Sequence, residues 1–240
     1  MDTVAGRSAP SAARPGSTRN GSVDALADLA AVHLYLTSER RNLDEALSEG
    51  VAGGHLSLAR CVASGLRRLP SFRGPATVRT GMVGPVTDWY RENQYVTEQS
   101  FWTASISPAA LREGGPGFVV WSLTARLTGT VDPSVPDQLI FLPGTRFKVL
   151  RVVDGRCPVV LLRELFPPEP GAQSRKPADT NGKKSTWLDE STLDELELIA
   201  ASPWAASPSV VSVRSAVADP WDRPPGLIVT PQTNAETTAS

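Results

Sequence analysis

The amino-acid sequence predicts an α+β domain, and three observations carry that reading. Apolar residues recur at helical spacing as far as Pro70, and beyond it the period drops to two. The two patterns also follow one another in blocks instead of alternating. Helices first and strands afterwards argue against a parallel βαβ arrangement.

The helical block begins near residue 22, where Ser22 is placed to cap and Leu26, Leu29, His33 and Leu36 recur three or four residues apart. A second helix is expected from Asn42, with Glu45 as capping-box partner three residues on, and it ends at Gly50. A third covers about 55–69, with Leu56, Ala59, Val62, Leu66 and Leu69 on one face, and Pro70 ends it. Strand-like runs then follow over 76–82, 95–99, 101–106, 118–125, 138–142, 147–153 and 159–165. Clusters of Gly, Pro, Asp and Ser, such as 114–117 and 132–136, separate them.

Composition shifts mark the boundaries. Residues 1–21 are rich in Ser, Ala, Arg, Gly and Pro without periodicity and read as a disordered leader. The domain is expected over 22–166, long enough for a core of its own. A linker by composition covers 167–186. An acidic helix follows over 187–201, with Leu188, Leu193, Leu196 and Ile199 as its apolar stripe, and 202–240 reads as a flexible tail.

Charge and motif content exclude several function classes. Among 240 residues, 24 basic and 25 acidic side chains give a net charge of −1, so no overall field points to nucleic acid or an anionic membrane. Arg outnumbers Lys 20 to 4, which lowers the weight of any single Arg. No run of about 18 apolar residues is present to span a bilayer. The first residues lack the apolar stretch of a secretory signal, so the cytoplasm is the default expectation, with leaderless secretion left open. Cys61 and Cys157 are far apart, and His33 and His55 sit on or beside helical faces, so no metal ligand set is expected. No phosphate-binding glycine loop, dinucleotide fingerprint or nucleophile elbow occurs.

Three segments say more through their order and spacing. GPATVRTG places Arg79 on a strand; QSFWTASIS carries Phe101, Thr103, Ala104 and Ser105; PDQLIFLPGTRFKVL is an apolar strand, a Pro-Gly-Thr turn and another strand. Together with the preceding LRRLPSFRGP, they resemble the ADP-ribosyltransferase family of the arginine–serine–glutamate type, over about 24–165. The resemblance implies two small, mostly antiparallel sheets under an N-terminal helical layer, with an NAD-sized central cleft. It also implies NAD as substrate and a protein side chain, of unknown identity, as acceptor of ADP-ribose.

Carried over residue by residue, the resemblance gives Arg79 the NAD pyrophosphate, a task for a planar, always-charged fork. A solvated strand arginine is the plain alternative. Thr103 stands at the first position of the family's Ser-Thr-Ser motif, where its hydroxyl would position the ribose or a catalytic side chain. Ala104 and Ser105 complete the motif as Thr-Ala-Ser. Phe101 and Trp102 would line the nicotinamide pocket, with core packing as the alternative for at least one.

The departure falls where the family carries its catalytic Glu. That position, directly before LIFLP, is Gln138; Pro136 lies two residues earlier and Asp137 between them. Cleaving the N-glycosidic bond of NAD builds positive charge on the ribose, which a carboxylate stabilises and an amide does not. Asp137 would replace it only through a bulge or a register slip. Glu98 is a more distant candidate, and Glu164 is expected to pair with Arg163 or solvent. Two functions follow: an enzyme transferring ADP-ribose from NAD to a protein, or a binding module that keeps the fold with catalysis weak or lost.

Overall fold

The computed structural model describes residues 17–51, 53–79, 89–108, 117–154, 158–166, 187–201 and 226. An N-terminal helical layer precedes eight strands, and one further helix follows them. Helix α1 spans Ser17–Leu34 and passes through one π-helical turn, Tyr35–Glu39, into α2, Arg40–Ser48. The helix therefore starts before Ser22 and does not break at Asn42. Asn42 lies inside α2 and donates to Glu39 at 3.3 Å, so the expected capping box is absent. Gly50, at φ +70°, ends the run as expected: the Val51 amide reaches back to the Ala46 carbonyl at 3.0 Å. Helix α3, Leu56–Arg68, buries Ala59, Val62 and Leu66, with Arg67 and Arg68 in its last turn complementing the helix dipole.

The strands are β1 (Gly74–Arg79), β2 (Tyr95–Thr97), β3 (Trp102–Ser105), β4 (Gly117–Ser122), β5 (Arg126–Leu127), β6 (Gln138–Phe141), β7 (Arg146–Val153) and β8 (Val159–Glu164). They form one hydrogen-bonded sheet in the order β2-β7-β8-β4-β1-β3-β6-β5. Among the described residues β4–β8 is the one parallel pair; the others are antiparallel.

The sheet bends back on itself. Phe141 on β6 and Phe147 on β7 belong to strands near opposite ends of the order, yet their ring centroids are 5.2 Å apart. Trp102 on β3 likewise meets Phe147 at 5.4 Å and Phe118 on β4 at 5.7 Å. Two halves of a single sheet thus pack face to face where two separate sheets were expected. Aromatic and branched side chains, including Val78, Val120 and Leu162, fill the space between the halves where a cleft was expected.

Because side chains alternate along a strand, the opposite face carries the remaining residues. The helical layer covers one part of it: Val32, Tyr35, Leu43, Val62 and Leu66 pack on Phe101 and Ile140. Helix α4, Trp187–Ala201, covers another, setting Leu196 on Val119 and Leu161. Asp189, at the start of α4, is buried between Lys148 and Arg163, with oxygen–nitrogen distances of 2.8 and 2.5 Å. Helix α4 is therefore packed on the sheet, not an appendage beyond a linker. The first sixteen residues of the expected leader, the linker 167–186 and nearly all of the tail lie outside the described residues. No described helix is long and apolar enough to cross a membrane.

Candidate functional site

Three adjacent strands bring the sequence motifs together. Thr77 on β1 stands opposite Ser105 on β3, and Ser105 stands opposite Gln138 on β6. Directly paired residues share a face, so Thr77, Ser105 and Gln138 form one row across the sheet. In the adjoining row Thr103 faces Ile140, which faces Arg126 on β5. Arg79 ends β1 opposite Gly117, two positions beyond Thr77 in the chain. Both rows lie on the face turned away from the aromatic interior.

Each described polar group has a distinct environment. The Thr77 hydroxyl donates to the Ser107 carbonyl at 2.8 Å and also lies 3.3 Å from that of Ser105. The Ser107 amide donates to the Ser105 hydroxyl at 3.0 Å, a local bond that fixes the turn after β3. The Thr103 hydroxyl is buried and has no partner. A buried, unpaired hydroxyl costs about 1–3 kcal/mol, a cost that a polar ligand group reaching it would relieve. Gln138 is buried too, and its Oε1 accepts from the Thr128 hydroxyl at 2.9 Å.

Two expected pocket residues are taken up by packing. Trp102 neighbours Thr103 in sequence and so points to the other face, where it packs among Phe118, Phe141 and Phe147 with its indole N–H unpaired. Phe101 lies on the helical side, its ring 5.0 Å from that of Tyr35 and its amide donating to Asp44 at 3.3 Å. Both are core residues here, the alternative named for at least one of them. Alternation explains it: Phe101 and Trp102 are successive residues and so serve the two cores that sandwich β3.

The candidate substitute carboxylates do not join the row. Asp137 precedes the strand and is half-buried, its carbonyl accepting from the Ile106 amide at 3.0 Å. Glu98 is buried just past β2, where its Oε1 accepts from the amide and hydroxyl of Ser100 at 2.8 and 2.9 Å. Beside it the Tyr90 phenol is pushed well above its ordinary range, first by burial and then by the Glu98 charge. Glu164 pairs with neither Arg163 nor solvent. It accepts from the amides of Leu123 and Thr124 at 2.5 and 3.0 Å and from the hydroxyls of Ser122 and Thr124. That carboxylate holds the turn after β4, while Arg163 serves Asp189.

Sequence reasoning missed Thr128. It lies ten residues before Gln138, across a loop rich in Pro, Ser and Asp, and its spacing matches no motif.

No family model matches the chain, and no curated protein matches it. Solved structures do. The type III effector XopAI from Xanthomonas axonopodis pv. citri aligns with a TM-score of 0.51 at 21% identity, over 62% of this chain and 68% of its own. Exoenzyme S from Pseudomonas aeruginosa, in complex with human 14-3-3 protein beta and bound to carba-NAD, aligns at 0.50 and 14% identity over 74% and 91%. The ADP-ribosyltransferase Vis, from Vibrio splendidus, gives 0.50 and 19% over 57% and 72%. The chain has an ADP-ribosyltransferase-like fold. At these identities the likeness extends to the fold alone.

Proposed function

We propose that this ADP-ribosyltransferase-like domain binds NAD across the β1–β3–β6 face and turns it over weakly or not at all, acting as a binding module. The observation that carries the reading is Gln138, buried in a row with Thr77 and Ser105 and held by Thr128. Arg79 would take the pyrophosphate, and Thr103, Ser105 and Gln138 would meet ribose or nicotinamide polar groups. An amide keeps a hydrogen bond to the ribose and adds no charge opposite the cation that forms as the glycosidic bond breaks. Missing charge stabilisation of that kind costs about 10²–10³-fold in rate.

A second reading is favoured by the Thr103 hydroxyl, a buried polar group without a partner. In it the domain transfers ADP-ribose to a protein side chain. Structural neighbours that include a type III effector and an exoenzyme bound to a 14-3-3 protein support an exported domain with a protein partner.

Titrating the protein with NAD, then assaying labelled-NAD transfer and glycohydrolase, tests both. Binding without turnover supports the module, and binding with turnover supports the enzyme. Absence of NAD binding overturns both. Gln138→Glu is expected to create or strongly raise glycohydrolase activity, because in this reading it sets one charge beside the developing ribose cation. A variant that binds NAD but stays silent means the face lacks more than one charge.

A further inference from the structure

We propose that Thr128 is a positioning residue that fixes the side chain at 138 and decides which of its atoms meets a ligand. The inference rests on the reading of the β1–β3–β6 face as the ligand site. Thr128 is wholly buried and grips residue 138 twice. Its amide donates to the Gln138 carbonyl at 3.1 Å, and its hydroxyl lies 2.9 Å from Gln138 Oε1. The same hydroxyl is 3.3 Å from the Gln138 carbonyl, so its single proton goes to the nearer oxygen, that of the side chain.

Thr128 is itself held in place. Its carbonyl accepts from the amides of Val131 and Asp132 at 2.8 and 2.9 Å, and the Gln138 amide closes the loop onto Val135 at 3.2 Å. Gly129 makes this closure possible, since a Cβ there would come 2.7 Å from the Pro136 carbonyl oxygen. The hydroxyl is therefore a fixed donor, built into a loop that cannot move it far.

With Oε1 held at Thr128, trigonal geometry turns the Nε2 amide, which only donates, away from the clamp. The ligand atom it meets must be an acceptor: a hydroxyl, ring, carbonyl or phosphate oxygen. A carboxylate at 138 would be held by the same hydroxyl through one oxygen and would present the other as an acceptor. Thr128 thus suits either residue and sets the donor or acceptor sense of the site without touching the ligand.

The test uses the full chain labelled with ¹⁵N, with the Gln138 side-chain amide assigned through its own bonds. A fixed Oε1 predicts a dispersed amide proton pair in the parent, collapsing toward the free-glutamine position in Thr128→Val and restored in Thr128→Ser. NAD affinity is expected to fall about 5- to 10-fold in Thr128→Val, the loss of one hydrogen bond, and to return within about twofold in Thr128→Ser. In Gln138→Glu, adding Thr128→Val is expected to lower kcat more than it changes KM. An amide pair at the free position in the parent overturns the proposal without any variant having to fold. Unchanged amide signals and NAD affinity in Thr128→Val overturn it as well. A dispersed amide that responds to Thr128 in a protein that binds no NAD upholds the clamp and overturns the NAD reading alone.

Discussion

The Asp189 carboxylate of α4 lies 2.8 Å from the Lys148 ammonium of β7, with both side chains almost wholly buried. Its other oxygen accepts from Arg163 Nε at 2.7 Å, so one acidic group answers two basic ones on neighbouring strands. Asp189→Ala would leave two cations packed against the apolar patch of Val119, Leu161 and Leu196. Breaking a buried pair from one side costs about 3–5 kcal/mol. Chemical denaturation is expected to show that loss, and limited proteolysis should cut earlier within 187–201. Equal protease resistance in parent and variant would mean that the ion cluster does not hold the helix.

Arg79→Ala is expected to weaken NAD binding by ~1.5–3 kcal/mol, as for a charged hydrogen bond, with little change in stability. Arg79→Lys should recover only part, since a point charge cannot reproduce the guanidinium fork. Calorimetric titration of the three proteins decides it, and equal affinities would remove the pyrophosphate role.

Trp102 is expected to affect stability before binding. Trp102→Ala should cost about 3–5 kcal/mol, because it empties the meeting point of Phe118, Phe141 and Phe147. Trp102→Phe should cost far less, since it also removes the unpaired indole N–H. Denaturation midpoints read the order; a Phe variant as unstable as the Ala variant would contradict it.

Tyr90 sets an alkaline limit. Burial and the Glu98 charge raise its phenol pKa in the folded state. An unfolded tyrosine ionises near 10, so above about pH 10 the unfolded chain gives up the proton first. Stability from this group is intact below that pH and is lost as pH rises further. Tyr90→Phe should flatten the decline, measured as the slope of unfolding free energy against pH.

The strands were legible because β-branched and aromatic residues alternate between two cores, as in Trp102 and Ala104 against Phe101 and Ile140. Their ends moved by a few residues, and the two-residue β5 was too short to register. Asn42 and Glu45 misled, because a helix that continues through a π turn can carry a cap-like pair in its interior. That Thr77, Ser105 and Gln138 form a row was not legible, since it depends on a cross-strand register that spacing within the three motifs does not carry. Thr128 and Asp189 were hidden for one physical reason. Their partners, Gln138 and Lys148, lie ten or more residues away, and only tertiary folding brings them together. Arg163, expected as a partner of its neighbour Glu164, reaches instead to Asp189, 26 residues on.

The parallel pairing of β4 with β8 also bears on the order of assembly. Gly117 meets Val159 only after the intervening β5, β6 and β7 have been traversed, so a long loop must close before that ladder forms. Strands β7 and β8 can pair locally first, leaving the other edge of β8 open until β4 arrives. Helix α4, which follows β8 in the chain, rests on Val119 of β4 as well as Leu161 of β8, so its platform exists only when that ladder is complete. During refolding, docking of α4 would therefore report that the β4–β8 ladder has closed.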